Sequence, residues 1–198
     1  MEKMRKASGK KVLSGDFHVS PTKYFLYYFR AVQYWFKVLD RIPVFLEDGE
    51  DKVTGEMKTI YVASNRDKYD IISFLSSSCF FLSYILWSSC QVVNSRDFNV
   101  YFSLNTLTDD EKTALEALGV ELQEDYQKHS KLKVRNYSKK GREFTMKKQH
   151  FFIKNSKPII DEIDKVLAKH YGFTDDELDF IINYDIKYRM GDELNAEE

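Results

Sequence analysis

The 198-residue chain has only two cysteines, three prolines, eight glycines and four histidines, and each scarcity excludes something. Cys79 and Cys90 are eleven positions apart. On one helix they would stand about 16 Å from each other, beyond the roughly 7 Å that a disulfide spans. They are expected to be free, buried thiols in a reducing compartment. The glycines are scattered, with neither G-x-G-x-x-G nor a Walker pattern to cradle a phosphate. His18, His129, His150 and His170 are far apart, and neither H-x-x-x-H nor C-x-x-C occurs, so no metal set is visible. No G-x-S-x-G elbow marks a serine nucleophile. Residues 1–20 are basic and polar without an apolar core, unlike a secretory signal, so a cytoplasmic location is expected.

Charge is missing from one long stretch. Ile71 to Val93 has no Lys, Arg, Asp or Glu, although 31% of the chain is charged. That length passes for a membrane span. Its seven serines, spread throughout, and flanks without Lys/Arg asymmetry argue instead for a buried soluble helix. Ser64-Asn65-Arg66-Asp67 fits a capping box, so one helix is expected from about Asn65 to Val92. Its serines would serve as close-packing points or bond back to helix carbonyls.

Residues 1–20 read as a flexible arm. Tyr24–Arg30, Tyr34–Leu39 and Met57–Ala63 are rich in aromatic and β-branched residues and read as strands. Asn99–Leu104 reads as a fourth strand or extended piece. Thr108-Asp109-Asp110-Glu111 caps a helix from Lys112 to about Lys128, which Gly119 should weaken or split. Ser156–His170 is amphipathic, with Pro158 in its first turn, Ile159, Ile163, Val166, Leu167 and His170 on one face, and Gly172 as its stop. Thr174-Asp175-Asp176-Glu177 caps another helix that buries Leu178, Ile181 and Ile182. The carboxylates from Asp161 to Asp179 fall in first turns and on solvated faces, where they complement helix dipoles. His170 is expected to be packed or capping, not a ligand. The fold class is therefore α+β: a small, mostly antiparallel sheet packed on a long buried helix, with a helical C-terminal part.

Residues 128–157 are strongly basic, with eleven Lys and Arg against Glu143 alone. Tyr137, Phe144, His150, Phe151 and Phe152 interleave with them. Such a block suits phosphate, because each neutralised phosphate releases counterions, and the aromatics can stack on bases. Charge alone leaves a second reading open, a solvated hairpin that pairs with the acidic helices. Glu56-Met57-Lys58 matches half of a nuclease metal site, but no Pro-Asp dipeptide precedes it.

The run KPIIDEIDKVLAKHYGFTDDELDFIINYDIKYRMG, residues 157–191, resembles the closing segment of bacterial adenine-specific DNA methyltransferases of type IIG and related restriction–modification systems. YYFRAVQYWFKVLDRIPVF (27–45), IYVAS (60–64) and the serine-rich stretch ending in NSRDF (94–98) resemble the C-terminal specificity region of the same family. The likeness covers most of residues 24–191 and is weakest over 104–152. The family's cofactor-binding glycine motif and its N-P-P-Tyr/Phe motif are both missing from this sequence. The resemblance thus implies a target-recognition domain without catalytic residues, cofactor site or metal site of its own. S-adenosylmethionine would belong to a methyltransferase domain of the same polypeptide.

The expected organisation is an arm (1–20), a recognition domain (21–191) and an acidic tail (192–198). Within the domain, 21–105 would hold the sheet and long helix, 106–155 the variable basic region and 156–191 the closing helices. The expected partners are double-stranded DNA and the catalytic domain, not a membrane. Lys133, Arg135, Lys139, Lys140, Arg142, Lys147 and Lys148 are candidate phosphate contacts. Asn94, Ser95 and Arg96 are candidates for base or backbone contact. The rival reading is a protein-interaction module whose basic block docks on an acidic partner or on the catalytic domain.

Overall fold

The structure, a computed structural model, describes residues 1–191 apart from Gln33, Lys140 and the side chain of Lys139. The expected acidic tail, 192–198, lies outside the described residues. The fold is α+β, with two small antiparallel sheets among the helices.

The first sheet has the order β2-β1-β5, from β1 (Tyr24–Phe29), β2 (Val38–Leu39) and β5 (Met57–Val62). Alternation along β1 and β5 turns Leu26, Tyr28, Ile60 and Val62 inward, where all are buried. The expected strand Tyr34–Leu39 contracts to two residues. Gln123 caps them, donating from Nε2 to the Val38 carbonyl at 3.1 Å and accepting from the Asp40 N–H at 3.0 Å. The second sheet has the order β4-β3-β7-β6, from β3 (Phe45–Glu47), β4 (Glu50–Asp51), β6 (Ser130–Lys139) and β7 (Arg142–Phe151). The basic block is thus a long hairpin, turning at Gly141, where φ is +79°. Residues 45–51 join this hairpin's sheet, so the expected division at residue 105 does not hold.

The apolar stretch is two helices, not one. Helix α2 (Asn65–Ser76) and helix α3 (Ser78–Trp87) meet at a 62° bend. Ser64 Oγ accepts the Asp67 N–H and starts α2 as expected. At the bend Ser77 is extended, and its Oγ accepts the Phe80 N–H at 3.0 Å. The freed N–H groups of Ser78 and Cys79 each donate to the Asp164 carboxylate at 3.1 Å. A buried carboxylate on a distant helix therefore supplies the cap that lets the helix break. Asp164 is itself fully buried and not on a solvated face. Among the described residues no single helix is long and apolar enough to cross a membrane.

Ser83 and Ser73 do what the sequence suggested. Ser83 Oγ donates back to the Cys79 carbonyl at 2.9 Å, and Ser73 Oγ crosses to the Leu115 carbonyl at 2.7 Å. That carbonyl belongs to α4 (Asp109–Lys128), which carries a complete capping box at Thr108 and Glu111. Gly119 does not split α4. It sits where α4 crosses α2 so closely that a Cβ would lie 2.7 Å from both Ser73 Oγ and the Tyr69 carbonyl oxygen.

Further expectations are corrected. Residues 1–20 are not a loose arm. Helix α1 (Glu2–Ala7) buries Met4, Leu13 is fully buried, and Lys3 pairs with Glu177. Apolar side chains in the basic segment hold it against the body. Residues 99–104 form no strand, since Val100, Phe102 and Leu104 point into the core from coil and 3-10 turns. Cys90 is exposed in a left-handed backbone conformation just after α3, whereas Cys79 is buried, and both thiols are free. The closing helices are α5 (Lys157–Tyr171), α6 (Asp175–Asn183) and α7 (Ile186–Met190). Gly172 ends α5 in the left-handed conformation as expected. The buried face of α5 is Ile160, Ile163, Asp164, Leu167, Ala168 and Tyr171, rotated from the expected one. On α6 only Ile181 is fully buried.

Candidate nucleic-acid interface

An open cleft of about 830 Å³ lies between the end of the first sheet, the inner face of the hairpin and α7. Strand periodicity builds its hairpin wall. Lys133, Arg135 and Tyr137 alternate on β6, opposite Lys148, Met146 and Phe144 on β7. Lys133, Arg135, Lys148 and His150 line the cleft from this wall, Lys37 from the segment before β2, and Lys154 from the turn after β7. Glu56 is the only carboxylate among the described lining residues.

The cations stand over rings. Lys37 Nζ lies 3.8 Å from the Phe29 centroid, Lys148 Nζ 4.6 Å from that of Phe45 and Lys133 Nζ 5.6 Å from that of Phe152. Among the described residues Lys133, Arg135 and Lys148 have no carboxylate partner. Two titrating groups in the cleft are shifted, one by burial alone and one by burial and its cationic neighbours. Burial pulls the Lys37 ammonium below its ordinary pKa. Burial first, then Lys133, Lys37 and Arg135, pulls His150 below its own. The neighbouring lysines and arginine thus disfavour a further positive charge at His150.

Of the residues singled out from the sequence, Lys133, Arg135 and Lys148 meet in this cleft. Lys147 pairs with Val134 in the hairpin register and points to the opposite face. Arg142 sits beside the hairpin turn, bound to Glu47 at 3.3 Å and Asp48 at 3.0 Å, so it supports the hairpin's contact with β3–β4. Lys140 lies outside the described residues, as does the side chain of Lys139. Asn94, Ser95 and Arg96 are not part of the cleft. Asn94 starts a 3-10 turn (Ser95–Phe98), its N–H donating to Asp97 Oδ2 at 2.7 Å and its Oδ1 accepting from Arg30 at 3.4 Å. Phe98 anchors that turn in the aromatic core, against Tyr28 at 5.1 Å and Phe17 at 5.5 Å.

Sequence reasoning missed the opposite wall of the cleft. Tyr34, Trp35 and Lys37 reach it from the segment before β2, and Tyr188 and Arg189 from α7. No local spacing relates residues so far apart. The hairpin alternation Lys131-x-Lys133-x-Arg135-x-Tyr137, in contrast, was available from the sequence. The acidic helices do not neutralise the hairpin. Among the described residues its only ion pairs are those of Arg142 to the β3–β4 turn, while Asp161 and Glu162 pair with lysines of their own helix. No group of three or more His, Cys, Asp or Glu among the described residues is arranged to hold a metal ion. Comparison with family models, with curated proteins and with solved structures finds no match to this chain.

Proposed function

We propose that this chain is a DNA target-recognition module, acting with an adenine-specific methyltransferase domain of a restriction–modification system. The observation that carries the DNA-binding part is the cleft. Lys37, Lys133, Arg135 and Lys148 line one concave surface together with several ring faces, against a single carboxylate among the described lining residues. Phosphate contacts position such a module, and polar and aromatic groups beside them read bases. The methyltransferase context rests on the resemblance of residues 24–191 alone. In that context the module selects sequence and presents the adenine, while S-adenosylmethionine chemistry occurs on the other domain. A second reading, docking on a protein, draws support from the far face of the hairpin, where Leu132 and Val134 are exposed at the free edge strand.

Fluorescence anisotropy on short duplexes over a salt series tests the proposal. Three to four phosphate contacts predict a log–log salt slope of about -3 to -4. Lys133→Ala with Lys148→Ala should lower that slope by about two. No binding at low salt would overturn the DNA reading and favour the protein-docking one.

A further inference from the structure

A base inside a duplex has both faces covered by its neighbours, so a protein meets only its edges in the grooves. Bare aromatic faces have something to stack on only where a base has left the stack. The cleft presents two such rings. Tyr34 is 44% exposed and Tyr188 60% exposed, and both line the cleft. Their rings are within 18° of parallel, with centroids 6.5 Å apart. The buried pair Phe74–Phe102, stacked in direct contact, has centroids 4.0 Å apart. Two stacking steps of about 3.4 Å require about 6.8 Å between ring planes, so the two exposed rings must part slightly to take a base between them.

The two tyrosines are held by their neighbours. Trp35 Nε1 donates to the Arg189 carbonyl at 2.9 Å, joining the chain beside Tyr34 to the chain beside Tyr188. The Arg189 guanidinium is sandwiched 4.1 Å from the Trp35 centroid and 4.7 Å from that of Phe81, and its Nη1 donates to Ser78 Oγ at 3.2 Å. Arg189 is only 2% exposed. The exposed rings therefore stand on a buried, multiply bonded base, which lowers the ordering cost of binding.

We propose that Tyr34 and Tyr188 form a clamp for one unstacked nucleobase of a DNA strand whose phosphates lie along the lysines of the opposite wall. Trp35 and Arg189 are positioning residues for the clamp. The proposal rests on the DNA-binding reading and names the part of the ligand that this corner of the cleft takes. The cleft volume suits it, since about 830 Å³ holds nucleotide-sized groups.

The test uses the full chain and four probes: a paired duplex, the same duplex with one 2-aminopurine opposite an abasic site, the single strand, and a free nucleoside monophosphate. The expected result is about tenfold tighter binding of the duplex with the unpaired base, with quenching of its 2-aminopurine. Tyr34→Ala and Tyr188→Ala should each remove both the preference and the quenching. They should leave the salt slope of paired-duplex binding, which the phosphate contacts set, unchanged, and Tyr→Phe at either position should behave as wild type. Duplex binding without preference or quenching overturns the clamp and leaves the DNA reading standing. A free mononucleotide bound as tightly as the oligonucleotides also overturns it, in favour of a small-molecule site. Failure of every oligonucleotide to bind at low salt overturns both proposals together.

Discussion

Gly119→Ala separates two accounts of one glycine by the sign of its effect. If Gly119 merely weakens α4, alanine should stabilise the protein by up to about 1 kcal/mol, the difference in helix propensity. The structure predicts the opposite. A Cβ at this site meets Ser73 Oγ and the Tyr69 carbonyl oxygen at 2.7 Å each. The serine can rotate, but only by giving up its 2.7 Å bond to the Leu115 carbonyl, at about 1 kcal/mol. The Tyr69 oxygen is backbone within α2 and cannot rotate, so the helices must move apart, which costs about 1–3 kcal/mol. Subtracting the propensity gain leaves a net destabilisation of about 2 kcal/mol. For a chain of this size that lowers Tm by roughly 4–8 °C, readable by circular dichroism. Adding Ser73→Ala should restore only part of the loss, because the carbonyl contact remains. A Tm equal to or above that of wild type would refute the close approach of α2 and α4.

Two other predictions concern the core and its thiols. Burial pushes the Asp70 carboxyl up to about 7 and that of Asp164 up to about 6, so both keep their protons to a higher pH folded than unfolded. The folded state then binds more protons between about pH 4 and 7, and stability falls as pH rises through that window. Asp70→Asn should flatten this decline and raise stability at pH 8, by at most about 4 kcal/mol, in urea titrations at several pH values; an unchanged pH profile would contradict the burial of an unpartnered carboxylate. A thiol-reactive dye should label the exposed Cys90 quickly and Cys79 only on unfolding, since burial also pushes the Cys79 thiol up. Fast labelling of both under native conditions would show that α3 is not held as described.

What was legible in the sequence was local. The boxes at Thr108 and Thr174 and the serine at Ser64 each satisfy helix N–H groups within three residues, so their spacing alone identifies three helix starts. The break at Ser77 was not legible, because its cap is completed by Asp164, 86 positions away from Ser78. Without that carboxylate the apolar stretch reads as one helix, and Asp164 reads as one more solvated acid. The cleft divides in the same way. Its basic wall follows from alternation along β6, while its aromatic wall depends on a contact between Trp35 and Arg189, 154 positions apart. The docking of residues 1–20 was hidden for a related reason: the many lysines outweighed two apolar side chains, Met4 and Leu13, whose burial is near complete.

The same buried polar groups explain why the interior and the cleft are one mechanical unit. Asp164 holds the N-terminus of α3 through Ser78 and Cys79. The Ser78 hydroxyl accepts from Arg189, and the Arg189 carbonyl accepts from Trp35 at the cleft. Each member of this chain is buried or packed on a ring, where a lost partner costs more than an exposed bond contributes. Replacing Arg189 would leave the Ser78 hydroxyl short of its donor, uncover the faces of Trp35 and Phe81, and free α7 together. An exposed binding residue tolerates such changes one at a time. This one does not, because the bend that packs the apolar helices is also the foundation on which Tyr188 stands.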